Sequence, residues 1–336
     1  MHVTVEPADL PLARPFRVAS FTIEAAKTVV ARLEYEGLVG IGEAAPLERY
    51  GDTVAGIIAA YSTYAIPAGS TPFAFDAMLA PLPRAARCAL DVALHDLAGK
   101  LLGVPVRDLL GLAGLPVPPT SMTVGIDEPA VMLENVRALR DLPAIKVKVG
   151  TGDDVALIEA IRASYAGAIR LDANEGWTPE RAVEILTAIA PFDIELCEQP
   201  IRAGQPAALR WISERVTIPI VADEDALEAA DLPALMGTVA GVNVKLAKCG
   251  GIRAATRMIA MARAMGFRVM LGCMAETSIL ATAAAHIAPL VDWLDIDGPL
   301  MLARDPYRGL TYAEGRVSIP SLPGLGVISA HEESSD

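Results

Sequence analysis

The chain has 336 residues, of which 28 are lysine or arginine and 41 are aspartate or glutamate, and its formal net charge at pH 7 is -13. This length exceeds the size at which one hydrophobic core usually keeps growing, so we expect a large domain accompanied by a smaller one. A strong negative charge disfavours binding to the phosphate backbone of nucleic acids. We therefore expect a small-molecule substrate and no nucleic-acid partner.

The cysteines and the apolar segments bear on the compartment. The cysteines have no CxxC spacing, and three of the four lie in or just after predicted strands, as free thiols in a reducing compartment do. The opening residues, MHVTVEPADL, contain no basic segment followed by an apolar run, and the apolar residues 278–291 are too few to span a bilayer. We expect a cytoplasmic protein with no membrane partner, and a homo-oligomer is compatible with this sequence.

Residues 1–115 have the pattern of an α+β domain. The segments TVVARLEYEG, from Thr28, and VGIGEAAP, from Val39, have the pattern of an antiparallel meander. A helical run, CALDVALHDLAGKLLG, begins at Cys88. It places Asp91 and His95 four residues apart, a spacing that more often marks a helix-surface or interdomain pair than a site. We predict a separate N-terminal domain here, joined by the C-terminal segment 306–336.

Residues 116–305 have a different sequence pattern, in which short apolar strands alternate with helical stretches. The strands begin 23 to 26 residues apart, at Ser121, Ala144, Ala168, Ile194, Pro219, Val242, Arg268 and Asp292. Eight such units predict an α/β fold, a modified TIM barrel of parallel strands. The segment GPLMLARDPY after the eighth strand contains prolines and no helical period. We therefore expect a (β/α)7β barrel that lacks its last helix.

Three acids stand at the ends of consecutive predicted strands, where barrels of this kind build their active sites. Asp172, Glu198 and Asp223 end the third, fourth and fifth strands, with spacings of 26 (198 minus 172) and 25 (223 minus 198) residues. Three carboxylates brought together would repel one another at neutral pH, and a hard divalent cation would relieve that repulsion. The sequence therefore predicts a Mg²⁺ site made of these three residues.

Lysines flank the predicted metal site. In AIKVKVG, from Ala144, the period of two places Lys146 and Lys148 on one face of the second strand. By itself this pattern is explained as well by an amphipathic strand with its lysines in water. Lys245 lies on the sixth strand, just beyond the strand of Asp223. A nearby divalent cation would lower the pKa of a lysine toward the range of a general base, and two opposed bases predict racemisation or epimerisation through an enolate-like intermediate.

In this combination the chain resembles the enolase superfamily, and within it the muconate-lactonizing subgroup. The resemblance rests on KxK on the second strand, acids ending the next three strands and a lysine on the sixth, and it implies that the N-terminal domain caps the barrel. It implies that Lys148 is the base for the S face and Lys245 the base for the R face. Lys146 resembles the auxiliary lysine, which tunes its neighbour and touches the substrate carboxylate. Lys248 is three residues after Lys245 and would lie on the opposite strand face if the strand continued, so we prefer Lys245.

The subgroup contains cycloisomerases, o-succinylbenzoate synthases, N-acylamino acid racemases and dipeptide epimerases. The eighth strand indicates which of these reactions to expect. Asp295 and Asp297, in WLDIDGP, share one strand face. A solvated strand end or a pair of caps would explain them, but the DxD resembles the feature with which dipeptide epimerases hold a substrate α-ammonium group. CMAET after the seventh strand is likewise typical of dipeptide epimerases, and its Glu276 is a wall residue of the site or an ordinary loop acid.

Substrate choice would come from two loops of the capping domain, RVASFTIE, from Arg17, and LERYGDT, from Leu47. Epimerases acting on Ala-Glu carry an arginine in the first loop, and here Phe21 takes that place. Arg17 is four residues earlier. An aromatic wall would suit an apolar second residue, whereas an ordinary core role explains Phe21 equally well. Thr123 on the first strand is a candidate for binding the dipeptide backbone, or a β-branched strand residue.

These observations predict a Mg²⁺-dependent dipeptide epimerase that inverts the α-carbon of the second residue of L-Ala-L-Xaa, with Xaa apolar or aromatic. An N-acylamino acid racemase, an o-succinylbenzoate synthase or a muconate-type cycloisomerase is the alternative, although none of these uses the two acids of the eighth strand. A non-catalytic protein on an inherited barrel is the alternative from another class. The complete set of acids and opposed lysines argues against it.

Overall fold

The computed structural model describes residues 1–19 and 21–330. The N-terminal domain contains an antiparallel sheet in the order β1-β2-β3, made of β1 (His2–Arg17), β2 (Thr22–Tyr35) and β3 (Leu38–Ala44). Its helices are α1 (Val54–Thr63), α2 (Phe75–Leu79), α3 (Arg84–Leu102) and α4 (Val106–Leu109). The predicted meander and long helix are both present. Helix α3 packs closely on β3. The approach depends on Gly40 and Gly42, since a Cβ at either position would overlap the backbone of α3.

The second domain is built on eight parallel strands in sequential order. They are β4 (Met122–Val124), β5 (Ala144–Lys148), β6 (Ala168–Asp172), β7 (Ile194–Glu198), β8 (Ile220–Ala222), β9 (Gly241–Lys245), β10 (Arg268–Gly272) and β11 (Trp293–Asp295). A parallel bridge from Thr120 to Leu294 brings the first and last strands together. All eight predicted strands are confirmed, and the sheet closes into a barrel.

Helices surround the barrel, as the alternation of the sequence predicts. They are α5 (Pro129–Ala138), α6 (Asp154–Ser164), α7 (Pro179–Ala188), α8 (Pro206–Ser213), α9 (Leu232–Leu235), α10 (Leu246–Cys249), α11 (Ile252–Ala264) and α12 (Ser278–Ile287). Thr178 caps the N-terminus of α7 by accepting a hydrogen bond from the backbone of Arg181. Between β11 and residue 330, where the described residues end, the helical structure is limited to a short 3-10 turn, Gly298–Met301, as expected for a barrel that lacks its last helix.

Apolar side chains fill the barrel below its carboxyl end. Four residues, each contributed by a different strand, form a separate buried cluster, namely Leu196, Val221, Met270 and Trp293. On three of these strands the next inward position, two residues further on, is an acid (Glu198, Asp223 or Asp295), whereas β10 has Gly272 there. An apolar cluster therefore lies below the charged mouth.

The C-terminal segment returns to the N-terminal domain. It contains β12 (Tyr307–Arg308), β13 (Thr311–Ala313), β14 (Arg316–Ser318) and β15 (Ile328–Ser329). The backbone of Gly324 exchanges hydrogen bonds with Val104 and Val106, beside α4. The predicted domain boundaries stay predictions, and residues 331–336 of this segment lie outside the described residues.

The cysteines and the helices can be compared with the predictions of free thiols and of no membrane-spanning segment. Cys88, Cys197 and Cys249 are buried, Cys273 is partly buried, and all four are free thiols. Among the described residues, no helix is both long and apolar enough to cross a membrane.

Candidate active site

The strand register brings the predicted site residues to one end of the barrel. Lys148 on β5 stands opposite Asp172 on β6, and Asp172 stands opposite Glu198 on β7. Asp223 directly follows β8, and Lys245 ends β9. These residues therefore surround the mouth of the barrel, where the sequence predicts the site.

The lysines of the mouth face its carboxylates. The Nζ of Lys146 lies 2.6 Å from Glu198 Oε2 and 3.0 Å from Asp172 Oδ2. Lys148 donates to the same Asp172 oxygen at 2.5 Å, and Lys245 donates to Asp223 Oδ2 at 2.8 Å. All six side chains are buried. The mouth is thus a cluster of opposite charges shielded from water.

Each of the three acids uses its other oxygen differently. Asp172 Oδ1 accepts a hydrogen bond from the backbone N–H of Asn174 at 3.0 Å, and Glu198 Oε1 accepts one from the side-chain amide of Asn243 at 2.6 Å. Asp223 Oδ1 accepts one from Lys248. One oxygen of every acid is therefore held by a donor outside the set of mouth lysines.

The position of Lys248 differs from the sequence-based expectation. Strand β9 ends at Lys245, and the chain turns at once into α10, so Lys248 is not on the opposite face of a continuing strand. The turn directs its side chain back to Asp223, where its Nζ is completely buried. Lys245 keeps the position at the barrel mouth that the sequence analysis preferred.

Burial and charge divide the pKa values of the acids. Burial favours the neutral form of Asp172, but the ammonium groups of Lys146 and Lys148 outweigh it and hold the pKa at about 2. Burial and the charge of Asp172 together raise the pKa of Glu198 to about 7, despite the opposing effect of Lys146. In Asp223, Lys245 and Lys248 overcome burial and lower the pKa well below its usual range.

The pKa values of two lysines are set by the acids that face them. Burial alone would lower the pKa of Lys146 and Lys245, but their carboxylate neighbours raise both pKa values well above the usual range. The lowering of a lysine pKa by a divalent cation stays a prediction. A lowered lysine pKa therefore depends on another cation neutralising these acids.

The acid cluster is suited to a hard cation. Among residues 1–19 and 21–330, no group of three His, Cys, Asp or Glu side chains is arranged to hold a metal ion, since lysines face the carboxylates. However, the donors are all carboxylate oxygens, the preferred ligands of Mg²⁺. Glu198 Oε2 also makes no hydrogen bond with acceptable geometry, despite its short distance to Lys146. Asp172, Glu198 and Asp223 could therefore hold Mg²⁺ if the lysines moved aside.

The two acids of the eighth strand have different partners. Asp295 accepts hydrogen bonds from Ser121 at 2.6 Å and from Lys146 at 2.9 Å. Asp297 accepts from the backbone N–H of Thr123 at 2.7 Å and from its hydroxyl at 3.1 Å. Burial and the charge of Asp295 raise the pKa of Asp297 to about 6. The structure thus places Thr123 against Asp297, and its role toward a dipeptide backbone stays a prediction.

A cavity of about 600 Å³ lies between the capping domain and the mouth. Lys146, Lys148, Lys245, Asp295 and Asp297 line its floor. The predicted loop residue Phe21 lines its wall and is 39% exposed, whereas Arg17 is not among the described residues that line the cavity. Ser20, in the same loop, lies outside the described residues.

The second loop of the capping domain forms ion pairs with the barrel. Arg49 forms ion pairs with Glu175 and with Glu224, the latter at 3.5 Å. Asn174 connects this pair to the site, because its amide nitrogen donates to Glu224 and its amide oxygen accepts from Lys148 at 3.0 Å. The loop is thus linked to a predicted base through the ion pair with Glu224 and the two hydrogen bonds of Asn174.

Several site residues were missed by the sequence analysis. Asn174 follows Asp172 by two residues, and Asn243 precedes Lys245 by two, so the strand period could have found Asn243. Phe16, whose ring centroid is 5.8 Å from the Nζ of Lys148, has no comparable signal.

Glu276 is buried, and burial together with the charge of Glu43 raises its pKa well above the usual range.

Comparison with known proteins defines the family. Residues 131–333 match the model described as enolase C-terminal domain-like, and residues 1–111 match the N-terminal domain of mandelate racemase and muconate lactonizing enzyme. The chain therefore belongs to the enolase superfamily, in the family of mandelate racemase and muconate lactonizing enzyme. The resemblance seen in the sequence is confirmed.

Named relatives narrow the class. The chain is 36% identical to the L-Ala-D/L-Glu epimerase of Bacteroides thetaiotaomicron, over 98% of this chain and 88% of that protein. It is 38% identical to the L-Ala-D/L-amino acid epimerase of Pedosphaera parvula, over 96% and 97%. A crystal structure of the Enterococcus faecalis dipeptide epimerase with Mg and L-Leu-L-Tyr has a TM-score of 0.90 at 34% identity, covering 97% and 98%. The protein is an enzyme of the isomerase class, an epimerase.

Proposed function

We propose that this enzyme is a Mg²⁺-dependent dipeptide epimerase that inverts the α-carbon of the second residue of L-Ala-L-Xaa, with Xaa apolar or aromatic. The observation that carries the proposal is the placement of Lys148 on β5 and Lys245 on β9. These strands are four positions apart (9 minus 5) in an eight-stranded barrel, so the two lysines face one another across the mouth. A reaction that uses both faces of a carbon needs such a pair.

Each lysine would serve one face of the substrate α-carbon. In one direction Lys148 takes the proton and Lys245, as the ammonium, returns a proton to the other face, and in the opposite direction the roles exchange. Phe16 beside Lys148 excludes water from that face. When bound, Mg²⁺ would neutralise the three acids and, as a Lewis acid, stabilise negative charge on the substrate carboxylate. Lys146 is placed to orient the same carboxylate.

The eighth strand supports a substrate with a free α-ammonium group. Asp297 lines the cavity and is fixed by two hydrogen bonds from Thr123, so its carboxylate has a defined direction. Asp295 adds a second negative charge nearby. Two carboxylates at this wall attract an ammonium group and repel the anionic dicarboxylates that a cycloisomerase would bind.

The cavity wall supports an apolar second residue. Phe16 of β1 and Val18 and Phe21 of the first loop line the cavity, and burial of an apolar side chain against them contributes roughly 1.5 to 3 kcal/mol. The relatives include both a Glu-named and a broader L-Ala-D/L-amino acid epimerase, so the family does not decide this point. The aromatic wall is our reason for preferring apolar substrates.

The test is mass spectrometry of an L-Ala-L-Xaa library after incubation with the enzyme and Mg²⁺ in D₂O. A parallel incubation with EDTA serves as the control for metal dependence. We expect one deuterium in dipeptides whose second residue is apolar or aromatic. Deuterium confined to L-Ala-L-Glu would refute the specificity and leave the epimerase proposal standing. No exchange in any dipeptide, followed by exchange in N-acylamino acids, would refute the dipeptide proposal itself.

A further inference from the structure

A fourth buried lysine, outside the set of mouth lysines, has no part in the proposed proton transfer. Lys248 is 1% exposed, and its Nζ is surrounded by four oxygen atoms. It donates to the backbone carbonyl oxygens of Asp223 at 2.7 Å, Asn243 at 3.0 Å and Ala226 at 3.1 Å, and to Asp223 Oδ1. Nothing in its surroundings leaves this ammonium accessible to a substrate.

We infer that Lys248 is a positioning residue, which fixes one oxygen of Asp223 so that the other is presented to the barrel mouth. The inference rests on the proposed function, because it assigns Asp223 to the metal site. Lys248 lies in α10, directly after the sixth barrel strand, and would orient Asp223, the acid that follows the fifth barrel strand. The base on the sixth strand, Lys245, faces the remaining oxygen, Asp223 Oδ2.

The contacts of Lys248 support positioning in two ways. The three carbonyl oxygens belong to β9 and to the turn after β8, so the ammonium joins the segments that carry Lys245 and Asp223. A buried ammonium among this many acceptors is held in one place, because a displacement would lose several hydrogen bonds where water cannot replace them. Its contact to Asp223 Oδ1 therefore fixes the rotation of that carboxylate.

The other two acids show the same division of oxygens. Asn174 and Asn243 hold one oxygen of Asp172 and of Glu198 through neutral N–H groups. Among the three acids, only Asp223 has this oxygen held by a full positive charge, that of Lys248. If a cation took the remaining oxygens, each acid would contribute one oxygen, and a change at Lys248 would free Asp223 to rotate or to offer both.

The experiment compares Mg²⁺ binding by isothermal titration calorimetry in the wild type, Lys248→Met and Lys248→Arg. Met keeps most of the side-chain volume and removes the charge, whereas Arg keeps the charge but cannot place a compact ammonium among four oxygens. We expect the Kd for Mg²⁺ to rise at least tenfold in Lys248→Met and less in Lys248→Arg. If Lys248→Met fails to fold, Lys248→Arg still carries the test.

A matched control separates positioning from general stability. Lys100 also donates to a backbone carbonyl, that of Val39 at 2.8 Å, and to a buried carboxylate, that of Asp96 at 2.7 Å, but it lies in α3 of the capping domain. Lys100→Met should lower the thermal midpoint and leave the Kd for Mg²⁺ unchanged. If both lysine variants weakened Mg²⁺ binding equally, the inference would be overturned.

A double-mutant cycle with Asp223→Asn tests whether Lys248 acts through Asp223. We expect Lys248→Met to change Mg²⁺ affinity less than twofold in the Asp223→Asn background, because the shared effect is already lost. Fully additive losses would overturn the inference, as would unchanged Mg²⁺ affinity in Lys248→Met beside a wild type that binds the ion. A wild type that binds no Mg²⁺ would refute the proposed function, and the inference with it.

Discussion

The enzyme buries two groups of acids, and their partners differ. The mouth acids, Asp172, Glu198, Asp223 and Asp295, all face lysine ammonium groups. The interface acids, Glu43, Asp91 and Asp96, lie between the capping domain and the rest of the chain and all accept backbone N–H groups, and Asp96 also pairs with Lys100. All seven are almost completely buried. Burial alone therefore does not identify a site acid.

The interface acids connect helices to a neighbouring domain. Glu43 accepts hydrogen bonds from Thr277 and Leu280 at the N-terminus of α12, and Asp91 accepts one from Arg253 at the N-terminus of α11. Negative charge at a helix N-terminus is favourable, and a backbone donor cannot leave. Of the Asp91 and His95 pair on α3, Asp91 thus makes an interdomain contact. Ammonium groups on flexible stems can move, so the mouth acids are the ones able to exchange partners.

The largest effect should come from removing a lysine that serves the chemistry. Lys148→Ala and Lys245→Ala should each lower kcat for epimerisation by about 10³-fold, in both directions, because general acid-base catalysis contributes on the order of 10² to 10⁴. Each variant should keep α-hydrogen exchange with D₂O for one enantiomer only, the one whose proton faces the remaining base. The measurement is deuterium uptake by mass spectrometry from separate L,L and L,D dipeptides.

The thermal midpoint is the control for these variants, since loss of a buried charge also affects stability. Mg²⁺ should still stabilise both variants. If either variant retained wild-type epimerisation, the two-base assignment would be wrong, and the mouth would be no more than a structural charge cluster.

Asp297 lines the same cavity as the mouth acids but is held as an interface acid is, because a backbone N–H and a hydroxyl of Thr123 donate to it. We expect Asp297→Asn to lower kcat/KM for dipeptides about 10²-fold through loss of a charge-assisted contact to the α-ammonium group. It should spare N-acylated substrates, which carry no such charge. Equal losses for free and N-acylated substrates would assign Asp297 a structural role, like that of the interface acids.

Much of the fold and part of the site follow from the sequence. Buried parallel strands repeat at regular intervals, and the acids at their ends are in phase, so the barrel and the mouth acids could be predicted together. The partners could not, because they join distant segments: Thr123 and Asp297 are separated by 174 residues, and Glu43 and Thr277 by 234. Lys248 was misplaced for a local reason, since nothing in VNVKLAK shows that the strand ends at Lys245.

Removal of an interface acid should damage stability and leave chemistry intact. Glu43→Ala leaves buried N–H groups of Thr277 and Leu280 without their acceptor, at a cost of about 2 to 3 kcal/mol in the free energy of unfolding. Denaturant unfolding measures this loss, and kcat should stay within twofold of the wild type at a temperature where the variant is folded. A large fall in kcat with little loss of stability would move Glu43 into the site group.

The interface also contains a histidine that backbone groups hold in its neutral form. The Nδ1 of His286 accepts from the backbone N–H of Arg107 at 3.1 Å, so its Nε2 carries the proton and donates to the carbonyl oxygen of Leu325 at 3.0 Å. A second proton would have to occupy Nδ1, directly against an N–H donor. This contact fits the lowered pKa of His286, about 4, for which burial is the main cause.

A pKa lowered by folding fixes the sign of the pH effect. The unfolded chain, with an ordinary histidine pKa of about 6.5, binds the proton first, so the stability contributed by His286 is complete above that pH and falls as the pH drops toward 4. Between pH 7 and pH 5 the loss should be roughly 2 kcal/mol in the free energy of unfolding. His286→Gln keeps an acceptor and a donor without titrating. Urea unfolding at both pH values should therefore show a smaller acid loss in the variant, and equal losses would mean that mouth acids, rather than this interface contact, set the acid limit.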